Sequence, residues 1–390
     1  MESETHGPAH RLRARRQNHE VSTVMKAPEK YYDFQKDISG CGVFGVIHKK
    51  RGLIPGDMPI NAMATMHDRG NGLGGGFAAY GIYPDFADYY AFHIMGDNRE
   101  ALDSAETVLK EFMVIHQSQA IPTRKTSSVK NPPLVWRYFV TPKVERDRPK
   151  NMELSETDYT VDVVMYINNN VPGAFVFSSG KNMGAFKGVG FPEDIAEFFR
   201  LDEYEAYIWT GHNRFPTNSP GWWGGAHPFT LLDWSIVHNG EISSYGINRR
   251  YLCQHDYLCT LLTDTEVVAY ELDLLIRRHG LSKEMTSKVF APPFWDEIER
   301  MEEPEREAYT ALRATYGPAM LNGPFAILVA DSKSLWGLND RVKLRPLVVA
   351  EKDDMVFMSS EESAIREVSP ELDRVYMPKA GEPVIVEVEE

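Results

Sequence analysis

Several features that would quickly place a chain in a large class are scarce in this sequence. Cysteine occurs only three times in 390 residues, without the paired spacing of a disulfide framework, which suits a reducing, cytoplasmic setting. Lys and Arg number 42 against 56 Asp and Glu, a net charge of −14. That balance excludes nucleic acid as the main partner, because phosphate binding needs clustered cations. The single basic cluster, Arg11-Leu12-Arg13-Ala14-Arg15-Arg16, reads as part of a solvated tail. Long apolar runs are missing as well. Stretches such as Phe325-Ala326-Ile327-Leu328-Val329-Ala330 fall far short of the roughly 20 residues that cross a membrane, and no apolar signal segment opens the chain. Internal repeats and low-complexity tracts are absent. What is present is the composition of a folded globule, 43% hydrophobic and 11% aromatic.

Residues 1–40 are polar and charged and read as a poorly ordered leader or propeptide; residues 41–390 read as one domain. Alternation and apolar runs predict strands at Cys41–Lys50, Phe77–Tyr83, 134–140, 161–167, 174–177, 206–210, 235–237, 325–330, 347–350 and 355–358. Helical spacing is expected at 60–66, 101–117, 193–200, 263–278, 294–316 and 361–368. Strands interleaved with helices, some of them apolar throughout, suggest layered sheets covered on both faces. The run Gly70–Gly76 contains a G-x-G-x-x-G, but it follows a helix and precedes a strand. A dinucleotide fingerprint needs the reverse order, so that function is rejected.

Cys41 heads the first apolar strand. Once the Gly40–Cys41 bond is cut, its own α-amine, with a reference pKa near ~8, lies beside the sulfur and can act as its general base. The plain alternative is a small buried hydrophobe in a core strand. Three polar islands stand at strand ends or a helix start: Arg214 with Thr217, Asn239-Gly240, and Asp264. Singly they read as a surface arginine, a turn and a helix-start carboxylate within a Thr263/Glu266 capping box. Jointly they form a set: Arg clamps a carboxylate, Asp holds an ammonium, and Asn with a Gly N–H supplies two donors for an oxyanion. Glutamine has all three matching groups. Cys253-x-His255-x3-Cys259 lacks zinc spacing and reads as structural. Ser359-Ser360 lacks a nucleophile elbow and reads as a helix N-cap.

These islands, in this order, resemble the motifs of class II (N-terminal nucleophile) glutamine amidotransferases. Cys41-Gly42-Val43-Phe44-Gly45 resembles the nucleophile strand, and His67-Asp68-Arg69-Gly70 the His-Arg-Gly stretch with Asp68 inserted. Gly211-His212-Asn213-Arg214-Phe215-Pro216-Thr217-Asn218 resembles the carboxylate loop, His238-Asn239-Gly240-Glu241-Ile242 the oxyanion turn, and Thr263-Asp264-Thr265-Glu266 the amino-binding segment. Asp340-Arg341, Leu344-Arg345-Pro346-Leu347 and Ser359–Ile365 resemble the closing strands. The resemblance implies an α+β fold, a four-layer αββα sandwich of the N-terminal-nucleophile hydrolase type. It further implies that Cys41 is the nucleophile and that Asn239 and Gly240 hold the oxyanion. Arg214 and Asp264 would bind the α-carboxylate and α-ammonium of glutamine, with Thr217 and His212 shaping the pocket. The motif wording, with Ala226-His227-Pro228-Phe229, is most similar to the glutaminase part of glutamate synthases in its separate-subunit form. The chain would then supply ammonia to a synthase-like partner and carry no cofactor itself, flavin and iron–sulfur groups belonging to that partner. No metal, nucleic acid or membrane enters this expectation. Activity would require removal of residues 1–40, and the long 101–200 stretch is a place for subunit docking. Two alternatives stay open: an N-terminal-nucleophile hydrolase of another amide, and an unprocessed, non-catalytic regulatory subunit.

Overall fold

Side chains of the strand Gly42–His48 point alternately to two different cores. Val43 and Ile47 enter one, Phe44 and Val46 the other, as the period of two along a strand requires. The computed structural model describes residues 40–143, 155–216 and 221–389, so the leader expected over residues 1–40 lies, but for Gly40, outside the described residues.

Gly42–His48 is the middle strand of an antiparallel seven-stranded sheet. In order across it run Arg374–Tyr376, Val348–Lys352, Met355–Ser359, Gly42–His48, Ile208–Asn213, Gly75–Tyr80 and Met183–Gly188. A second, five-stranded sheet has the order Phe229–Leu231, Trp234–Gly240, Phe325–Asp331, Ser334–Asn339, Val384–Glu387. Val43, Ile47, Ala78, Tyr80 and Ile208 of the first sheet share a core with Val237, Ala326, Leu328, Ala330 and Leu335 of the second. Gly45 faces this seam. A methyl group there would stand 3.1–3.2 Å from Leu328 and Leu335, so glycine lets the two sheets approach.

The outer faces are covered by helices. Phe44, Phe77 and Trp209 pack against Met63 of Asp57–Thr65, Phe199 of Pro192–Phe199 and Ile365 of Glu362–Val368. On the other side Ile236, Ile327, Val329 and Leu338 meet Leu252 of Tyr245–Cys253, Val268 of Asp264–Leu272 and Phe290 of Lys283–Phe290. The layers are therefore helix, sheet, sheet, helix, the expected αββα arrangement. Each fully buried Val, Leu, Ile or Phe contributes about 1.5–3 kcal/mol, and both strand faces collect that contribution.

Three elements differ from expectation. Residues 161–167 lie within a helix, Glu156–Asn170, whose N-cap Ser155 accepts from Asp158 N; packing of Val161, Val164 and Ile167 into the core overrides the β preference of the valines. The expected helix 101–117 stops at Phe112, and Met113–Ala120 becomes a strand with alternating burial. The single helix expected over 294–316 is two, Trp295–Glu299 and Glu305–Tyr316, separated at Pro304, which has no N–H to continue a helix. The described residues within 90–143 and 155–178 build an added layer: a four-stranded antiparallel sheet with helices Arg99–Phe112 and Glu156–Asn170. Its Phe92, Leu102, Leu109 and Val164 join the core of the five-stranded sheet.

One buried acid makes stability depend on pH. Glu271 is fully buried, its carboxylate makes no well-formed hydrogen bond among the described residues, and burial pushes its pKa well above 4.5 against a lesser pull from the nearby Asn248 amide. The native state thus holds a proton the unfolded chain releases. The stabilisation is fully present below about pH 4.5 and is lost as pH rises through the folded pKa. Glu271→Gln, which keeps the shape without the proton, is expected to flatten the fall in Tm between about pH 5 and about pH 8. Parallel Tm curves for variant and wild type would contradict this.

Candidate active site

The register Gly42↔Asn213 sets the geometry of the site. One residue further along the antiparallel pair, Cys41 at the head of one strand comes opposite Arg214 at the end of the other. Gly240 closes the strand Trp234–Gly240 of the facing sheet, and Asp264 opens the helix Asp264–Leu272 that covers that sheet. Chain segments far apart in sequence therefore meet at one end of the sandwich. Cys41, Arg214, Gly240 and Asp264 line a single cavity of about 310 Å³, walled by Ile242 and Leu262. That volume suits a small ligand.

Cys41 is half-buried as a residue, but its sulfur is desolvated. Burial pushes the thiol above its ordinary pKa, against the pull of the Phe215 N–H and of Arg214. The sulfur accepts from Phe215 N at 3.3 Å and lies 3.8 Å from Phe215 O. Neither contact is a base. Burial thus favours the protonated thiol, and among the described residues no side-chain base is hydrogen-bonded to the sulfur. Arg69 fixes the Cys41 backbone: its Nε donates to Cys41 O at 3.1 Å, and its Nη1 pairs with Glu361 at 2.6 Å.

Arg214 is 3% exposed, and burial lowers its pKa, opposed by Cys41 and Asp264. A guanidinium remains charged at any working pH. Asp264 is oriented through both oxygens, accepting from Ile242 N at 2.9 Å and from the Thr265 hydroxyl at 3.1 Å. Having given its proton to Asp264, that hydroxyl can only accept from His227 Nε2 at 2.9 Å and His238 Nδ1 at 3.1 Å. The two imidazoles are thereby fixed as single neutral tautomers. Burial drives both below the ordinary histidine range. The expected capping box is half made: Thr263 Oγ1 accepts from Glu266 N at 3.1 Å. The Glu266 carboxylate instead takes Thr260 N at 2.8 Å and Leu261 N at 2.9 Å, anchoring the loop that ends in Leu262 at the cavity wall.

Not every expected residue reaches the cavity. His212 does not line it. It is fully buried and stacked on His227 at 3.9 Å, gives Nε2–H to His238 O at 2.8 Å, and is pulled down to about 3 by burial. It shapes the pocket through His227 and His238, which both line it. The Asn239 side chain is also fully buried, its Nδ2 donating to Ser360 Oγ at 3.0 Å, while Gly240 is the member of that pair on the wall. Asn239-Gly240 is the end of a strand rather than a turn. Gly240 has φ +144°, and a Cβ would fall 1.9 Å from Pro324 O, so no other residue fits. Ser360 is no helix cap, since Glu361 holds that position; it also accepts from Val43 N at 3.1 Å, tying the Cys41 strand to Asn239. Thr217 lies outside the described residues. His227, His238, Thr265, Arg69 and Ser360 were not expected to serve the site. Each lies within one of the motif stretches of the sequence, and that is the signal that points to it. Among the described residues no group of three or more His, Cys, Asp or Glu is set to hold a metal ion, and no helix is long and apolar enough to cross a membrane.

Comparison with known proteins gives the same direction. The family profile described as class-II glutamine amidotransferases matches residues 105–380. An uncharacterized protein of Archaeoglobus fulgidus is 56% identical over 353 residues, covering 90% of this chain and 93% of its own length. A glutamine amidotransferase-like protein of Rhizobium meliloti is 26% identical over 50% of this chain and 56% of its own. The NADPH glutamate synthase large chain of Bacillus subtilis is 26% identical over 46% of this chain, which spans 13% of that protein.

Proposed function

The chain belongs to the class II glutamine amidotransferases, and from that membership we propose that it hydrolyses glutamine to glutamate and ammonia through a thioester on Cys41. The observation that carries this is the meeting of Cys41, Arg214, Gly240 and Asp264 around one cavity. Arg214 receives the α-carboxylate and Asp264 the α-ammonium, which presents the side-chain amide to the sulfur. The liberated α-amine of Cys41 takes the thiol proton as sulfur attacks the amide carbon. The Gly240 N–H stabilises the oxyanion, with Asn239 set behind it. The carbon–nitrogen bond then breaks, the amine returns its proton to the departing ammonia, and water cleaves the thioester to glutamate. The raised thiol supports this reading, because a freed amine beside the sulfur would supply an acceptor where no side-chain base is hydrogen-bonded to it among the described residues.

The ammonia goes to a separate glutamate-synthase-like subunit that carries flavin and iron–sulfur groups, this chain itself carrying no cofactor and working in the cytoplasm. Support comes from the wording of the Arg214 and His227 segments and from the match to a glutamate synthase chain. The test compares glutamine with a simple amide lacking the amino-acid head. Ammonia release is expected from glutamine and to be at least about 100-fold weaker from the simple amide, since two charge contacts are lost. Equal rates would favour a hydrolase of another amide.

A further inference from the structure

The loop Asp340–Arg345 is bound down more tightly than a connection between strands requires. The buried Asp340 carboxylate accepts from Phe325 N at 3.2 Å, Val342 N at 3.0 Å, Leu344 N at 2.9 Å and Arg345 N at 3.4 Å. Asn339 Nδ2 then donates to Arg345 O at 2.7 Å. This fixed loop delivers one cation to the start of the nucleophile strand: Arg345 Nη1 stands 3.5 Å from where a Cβ on Gly40 would be. The guanidinium is half-buried, and its Nε is buried without a hydrogen-bond partner. Among the described residues no carboxylate pairs with it.

Other charges around Cys41 are arranged differently. Arg69 is paired with Glu361. Arg214 and Asp264 carry opposite charge across the cavity, and His238 is kept neutral by burial. Asp340 spends its oxygens on backbone N–H groups. Glu241 also lines the cavity, but among the described residues Arg345 is a positive charge at the Gly40–Cys41 junction with no ion-pair partner, and its field reaches the sulfur, where it favours the thiolate.

Resting on the thioester reading above, we propose that Arg345 is a positioning residue whose unpaired charge keeps the freed α-amine of Cys41 in its neutral, proton-accepting form. The amine nitrogen is two covalent bonds from the Gly40 Cα that Arg345 overlies. A like charge at that range disfavours the ammonium by about one pH unit. The amine can then take the thiol proton at a pH where an ordinary terminus, with a pKa near ~8, is largely protonated.

Intact mass first establishes whether the purified chain begins at Cys41. A chain that turns over glutamine with Gly40 still attached overturns the thioester reading and this inference with it. With the amine free, the acid limb of kcat/KM is expected to move up by about one pH unit in Arg345→Gln and to stay in place in Arg345→Lys. Titration of [15N]cysteine-labelled protein separates the two claims, since only Cys41 would carry an amine and its midpoint is read without turnover. A midpoint that moves up in Arg345→Gln supports the inference whether or not glutamine is hydrolysed. A midpoint equal to wild type in folded Arg345→Gln protein overturns it, even if activity falls, because Arg345 would then be merely structural.

Discussion

Replacing Cys41 with alanine is expected to abolish ammonia release from glutamine, a loss on the order of 10⁴- to 10⁶-fold, with little change in Tm. The sulfur makes only weak contacts with the Phe215 backbone, so its removal takes little from the fold. It takes everything from a covalent route. Cys41→Ser is expected to fail nearly as completely, because a hydroxyl is much harder to deprotonate than a thiol that burial has already raised. Cys253 is exposed and Cys259 buried away from the cavity lining, and their alanine variants should retain activity. Glutamine hydrolysis surviving in Cys41→Ala would remove the nucleophile from the scheme.

The second large effect concerns substrate charge. Arg214→Met and Asp264→Asn should each lower kcat/KM for glutamine by about 30- to 4,000-fold, corresponding to the ~2–5 kcal/mol cost of truncating one partner of a buried charge pair. The diagnostic part is the substrate dependence. With an analogue lacking the α-carboxylate, Arg214→Met should cost nothing further, and with one lacking the α-ammonium the same holds for Asp264→Asn. Asp264 also holds Ile242 N and the Thr265 hydroxyl, so asparagine, which keeps the shape, is the informative replacement. Equal losses on all three substrates would mean that the two residues serve the fold rather than the ligand.

Much of this site is legible in the sequence because its parts sit at element ends. Cys41, Arg214, Gly240 and Asp264 each stand where an apolar run begins or stops, and the sandwich brings those ends together. The fold class follows from strands such as Phe325–Asp331, buried along their whole length, which need cover on both faces. The contacts of the supporting shell are not legible. Ser360 reaches Asn239 across 121 positions, and His227 and His238 converge on Thr265 from other elements. In sequence such residues look like any polar core side chain. The placing of Asn239 is not legible either: its amide nitrogen donates to Ser360, and Gly240 is the member of the pair on the cavity wall. The helix Glu156–Asn170 was hidden for a different reason. Its valines favour a strand, and only packing against the core reverses that preference.

Peptide mass spectrometry of the active enzyme after treatment with a diazoketone analogue of glutamine puts the question most directly. The expected spectrum has a single adduct, formed with loss of dinitrogen, on the sulfur of a peptide whose first residue is Cys41. An adduct on Cys253 or Cys259, or an active enzyme whose labelled peptide still carries Gly40 ahead of the cysteine, would contradict a self-activated thiol at the end of the chain.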